Sequence, residues 1–167
     1  MRPTAVRADI LAIGLAASIA AVLAALAVLQ CGAATAAGAD RISSSPQVDP
    51  GGTRVLAGLS DPSAGQLGLI SLAVAFVGYA GLGAVVVRRG GSRRFAALLA
   101  GLSFAAASLV ALVIEQVLYP TAYYYFATGN SVAYYIVNLA YVFVIILAGV
   151  VAAIAVGAGA LVRLMTR

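Results

Sequence analysis

The residues able to do chemistry in this chain are few, and they cluster. Glu115 is the single acidic residue inside a long apolar stretch, with Gln116 beside it. A carboxylate in a hydrocarbon environment is costly, and such a group marks a proton or cation site by default. Glu115 also lies about one helical turn before Pro120, so its side chain could reach headgroups and act as an interfacial hydrogen-bonding group. Asn138 sits in the next apolar stretch, with Tyr134 at i−4 and Tyr141 at i+3 on the same helical face. Glu115, Gln116, Asn138, Tyr134 and Tyr141 are therefore expected to form one polar cluster. It would serve as a clamp between two helices, or as a site for an ion, a lipid or a quinone headgroup.

Other chemistries lack their reagents. The chain has no His and no Trp, and Cys31 is its only cysteine. No imidazole is available as a metal ligand or general base, and no Cys-x-x-Cys pair can form. Ser43, Ser44 and Ser45 have no His or Lys to activate them. Asp40, Asp49 and Asp61 are too scattered for a calcium loop. Gly78, Gly81 and Gly83 fall in an apolar run with no strand before them, unlike a nucleotide fingerprint. The sequence thus argues against an enzyme, a metal site or a bound cofactor. The net charge of +5 does not point to nucleic acid, because eight of the ten arginines sit at the ends of apolar runs.

Those residues need elements to hold them, and composition says what the elements are. Hydrophobic residues make up 63% of the 167 positions and charged residues 9%, against about 25% charged in a soluble domain. A chain this short cannot enclose so much apolar surface in one core, so the excess must face lipid or other subunits. Crossing a bilayer core takes roughly 20 apolar residues in a helix. Four stretches qualify, at about 10–30, 67–88, 95–119 and 132–164. The fold class expected is all-α, a polytopic four-helix transmembrane bundle forming one domain.

Arginine sets the expected orientation. All ten basic residues are Arg, and short Arg-bearing loops stay on the cytoplasmic side. The turn 88–94 reads RRGGSRR, with Arg88, Arg89, Arg93 and Arg94. Arg2 and Arg7 precede the first span, and Arg163 and Arg167 end the last. Both termini and this turn are then inside, while loop 31–66 and the aromatic loop 120–131 are external. The four arginines of the turn are also candidates for contact with lipid headgroups. A competing reading takes residues 1–39 as a cleaved signal peptide, with Ala37-Gly38-Ala39 as its processing site. Arg without Lys, with abundant Ala and Gly, suggests a prokaryotic cell membrane.

Helices in lipid associate through small residues and hydrogen bonds. Ala12, Ala16, Ala20 and Ala24 form one ladder at i, i+4 spacing. Ala97, Gly101 and Ala105 form a second, and Gly149, Ala153 and Gly157 a third. Each offers a smooth face, either for packing within the bundle or for a partner chain. Tyr119, Tyr123, Tyr124, Tyr125, Tyr134, Tyr135 and Tyr141 crowd one region, as in an aromatic belt or a contact surface. The expected function is a structural or accessory subunit of a membrane assembly, whose partners are the bilayer and other subunits or copies of itself. The alternative is a small transporter, channel or ion-coupling subunit using the Glu115 cluster.

Overall fold

The computed structural model describes residues 3–43, 62–119 and 131–166, and within them the side chains of 9–36, 62–115, 117–119 and 142–166. The described residues form four helices: α1 (Pro3–Ser43), α2 (Pro62–Arg88), α3 (Arg93–Leu118) and α4 (Ser131–Met165). Each contains a segment long and apolar enough to cross a membrane: Asp9–Ala36, Pro62–Arg88, Arg93–Glu115 and Val142–Met165.

The helix ends have local causes. Pro62 occupies the first position of α2, where its missing N–H costs no hydrogen bond. The α2–α3 turn closes by a Schellman motif. Gly90 N–H donates to the Val87 carbonyl at 3.0 Å, and Gly91 N–H to the Val86 carbonyl at 2.9 Å. Gly90 takes φ +83°, which an L side chain rarely tolerates. Ser92 then caps α3, its Oγ accepting from the Phe95 N–H at 3.0 Å.

The first helix departs from expectation. It continues to Ser43, into the stretch 31–66 expected as an external loop. The Gly, Ser, Asp and Pro content of 32–66, with breakers from Pro46 to Pro62, points to a loop there. The residues between Gly32 and Gly38 are mostly Ala, the best helix former, and the first proline after Pro3 is Pro46. The rest of that loop, from 44 to 61, lies outside the described residues, as do residues 120–130 of the aromatic loop.

The chain divides into two compact units. The first comprises Met1–Leu23, Leu72–Ala107 and Val144–Arg167, and the second Ala24–Ser71 and Ser108–Phe143. In the first unit α2 is the common neighbour. Gly78 faces the Ile19 side chain of α1, and Gly83 faces the Ala155 backbone of α4. Tyr79 meets Ser103 and Phe104 of α3. Ala75, Tyr79, Leu82 and Val86 are buried at spacings of four, three and four, a single stripe along one side of α2. In the second unit α1 touches α2 where the Gln30 amide lies over Gly68.

Polar groups on these apolar helices are satisfied locally. Ser18 donates to the Gly14 carbonyl at 2.9 Å, and Ser71 to the Leu67 carbonyl at 2.9 Å. This i−4 bonding satisfies a hydroxyl on an apolar helix without a second helix. Among the described residues no buried side-chain polar atom lacks a partner.

Candidate functional site

Of the polar cluster expected around Glu115, only Glu115 itself falls among the described side chains. In the second unit the Glu115 carboxylate, half-buried on α3, lies within electrostatic range of the Cys31 thiol on α1. Thr35 donates to the Cys31 carbonyl at 2.7 Å, and its hydroxyl also neighbours the thiol. The Tyr119 hydroxyl, at the end of α3, sits where a side chain at Gly32 would be. Tyr119 against Gly32, with Glu115 near Cys31, places the end of α3 beside α1 in the second unit. The partners expected for Glu115 came from α4. Asn138, Tyr134 and Tyr141 fall on the α4 backbone and Gln116 on α3, but their side chains lie outside the described residues.

Sequence reading missed the α1 contribution. Gln30, Cys31 and Thr35 sat where a helix end and a loop were expected, so their i, i+1 and i+5 relation on a continuing helix was hidden. The signal was available in the alanine content after Gly32. Among the described residues, no three of His, Cys, Asp and Glu gather as a metal ion would need.

The three small-residue ladders have different fates. On α1, Ala12, Ala16 and Ala24 are buried and Ala20 is half-buried. On α3, Ala97, Gly101 and Ala105 are half-buried, and a Cβ at Gly101 would lie 3.5 Å from the Ala148 carbonyl of α4. The α1 ladder is thus packed within the chain, whereas the α3 ladder only flanks the buried stripe of Ala96, Ala100, Ala107 and Ala111. On α4, Gly149, Ala153 and Gly157 are all exposed. A Cβ at Gly149 or Gly157 would meet nothing within 4 Å. The residues of α4 that face inward are instead Val151, Ala155 and Gly159.

Two glycines make the α2–α4 contact possible. A Cβ at Gly83 would run into the Ala155 carbonyl, and one at Gly159 would meet the Val87 side chain at 2.6 Å and the Gly83 carbonyl at 3.2 Å. Backbone-to-backbone approach of this kind is how helices gain contact area in lipid.

The basic turn presents Arg88, Arg89, Arg93 and Arg94, all exposed, around the Schellman motif and the Ser92 cap. No protein-family model, no curated protein and no solved structure matches the chain.

Proposed function

We propose that this chain is a polytopic four-helix membrane protein that works as a non-enzymatic accessory subunit, docking other membrane helices on the outer face of α4. The observation that carries the reading is the contrast among the ladders. That of α1 is largely buried and that of α3 half-buried, while Gly149, Ala153 and Gly157 lie open on α4. Around them Ile146, Val150 and Leu161 are exposed at 54%, 48% and 63%. Large residues beside a shallow groove of small ones give a helix surface that another helix can enter, with van der Waals contact as the driving force.

The test is purification from the native membrane in a gentle detergent, with mass spectrometry of what accompanies the protein. Ala153→Leu combined with Gly157→Leu fills the groove at exposed positions. It should leave helix content and monodispersity unchanged while the co-purifying subunits are lost. Glu115→Gln, far from that groove in sequence, should retain them. A wild-type protein that emerges alone and monodisperse defeats the proposal, and so does a groove-filled variant that keeps its partners.

The reading includes an orientation, with the termini and the RRGGSRR turn on the cytoplasmic side, supported by arginine placement. In a Cys31→Ser background, Ser92→Cys and Thr166→Cys should react with an impermeant thiol reagent from the same side. Labelling from opposite sides would refute an even number of crossings between them.

A further inference from the structure

We propose that a cavity at the α2–α3 turn binds the headgroup of an aminophospholipid of the phosphatidylethanolamine type, a phosphodiester carrying a primary ammonium. The cavity has a volume of about 80 Å³ and lies wholly within the first unit. That is enough for one end of a headgroup, with its other charged end and the rest of the lipid at the open mouth. Asp9 of α1 and Arg89 of the turn supply its charged lining. Ala12, Val86 and Phe95 supply an apolar wall, drawn from three helices.

The composition of that lining selects the ligand. Arg89 offers fork-like donors to a phosphodiester. Exposed Arg88, Arg93 and Arg94 nearby add a positive field. A surface made of these alone would prefer the most anionic lipid. Asp9 changes the preference, because a carboxylate beside the phosphate site repels a second negative charge and attracts a cation. The primary ammonium has three N–H donors for it. A trimethylammonium headgroup has none and is bulkier, and a glycerol headgroup carries no cation. The apolar wall of Ala12, Val86 and Phe95 suits the methylene groups that join phosphate to ammonium, which a free phosphate lacks.

The turn backbone cannot replace the side chains here. The amides of Arg89, Gly90 and Gly91 donate to the Val85, Val87 and Val86 carbonyls at 3.2, 3.0 and 2.9 Å. Phosphate recognition therefore falls to the guanidinium. The site lies on different elements from the α4 groove and does not depend on what docks there.

The experiment uses the full chain, delipidated in detergent and exposed to an equimolar mixture of phosphatidylethanolamine, phosphatidylglycerol and phosphatidylcholine with matched acyl chains. Native mass spectrometry reads the bound lipid. Wild-type protein should carry phosphatidylethanolamine about fivefold over either competitor, the scale of one interfacial charge contact. Asp9→Asn should reduce it to the phosphatidylcholine level, and Arg89→Gln should lower retention of all three. Phosphatidylglycerol bound as well as or better than phosphatidylethanolamine in the wild-type protein overturns the proposal and leaves a plain cationic patch. An ethanolamine preference that survives Asp9→Asn overturns it as well. The wild-type comparison needs no substitution, so it decides even if a variant folds poorly.

Discussion

Gly83→Ala is expected to part α2 from α4 and to destabilise the protein by about 3 kcal/mol or more, at the upper end of overpacking effects. The added methyl would meet the Ala155 carbonyl. That atom belongs to a helix backbone and cannot swing aside as the end of a flexible side chain would, so relief requires moving α4 itself. Gly81 is the matched control, two residues away on the same helix. A Cβ there meets nothing within 4 Å, so Gly81→Ala should gain about 0.5–1 kcal/mol from helix propensity. The pair is read by the temperature at which each protein loses its monodisperse peak on size-exclusion chromatography. Equal shifts for the two variants would mean that α2 and α4 do not approach at Gly83.

Tyr79→Ala should have the other large effect, about 3–5 kcal/mol, the usual result of emptying a large aromatic site. Tyr79 and Leu82 are the largest fully buried side chains described. The Tyr79 ring also meets Phe104 edge-on, with centroids 6.4 Å apart and planes at 67°. Its hydroxyl permits a finer test. Ser103 Oγ lies 3.2 Å from the Tyr79 hydroxyl and 3.1 Å from the Ala100 carbonyl. Ser103 has one proton, so when it serves the carbonyl the phenol supplies the proton of the other bond. Tyr79→Phe leaves Ser103 satisfied by Ala100 and should cost about 0.6 kcal/mol, typical of interhelical hydrogen bonds in membranes. Ser103→Ala strands a buried phenol and should cost about 1–3 kcal/mol. The double variant should then be more stable than Ser103→Ala alone. If Tyr79→Phe proves the worse of the two single changes, the hydroxyl has a partner other than Ser103.

Much of the helical architecture was legible because an apolar run long enough to cross a bilayer can do so only as a helix, its backbone having nowhere else to bond there. Leu67–Val87 announced α2, and RRGGSRR announced the turn after it. The end of α1 was hidden because alanine and glycine satisfy both a helix and a small-residue loop. Packing was less legible. The tyrosines near 119–141 attracted notice by their number, whereas the structurally central Tyr79 stands alone between Gly78 and Ala80. A single tyrosine in mid-span, with a serine on a neighbouring span, is the only sign that sequence gives of it. The cavity at the turn was invisible for a different reason. Asp9 and Arg89 are brought together by tertiary packing alone, and no spacing in the chain joins them. Of the expected Glu115 cluster, only Glu115 itself falls among the described side chains. Cys31, within electrostatic range of it, comes from the part of α1 that composition disguised.

The central place of α2 in the first unit sets an order on assembly. The α2–α3 hairpin is local, closed by the turn at Gly90 and Gly91, and can form as soon as both helices are made. Gly83, however, closes on Ala155 of α4, which follows both in the chain. The hairpin must therefore exist for a time with its notch uncovered, and the arrival of α4 is what fills it.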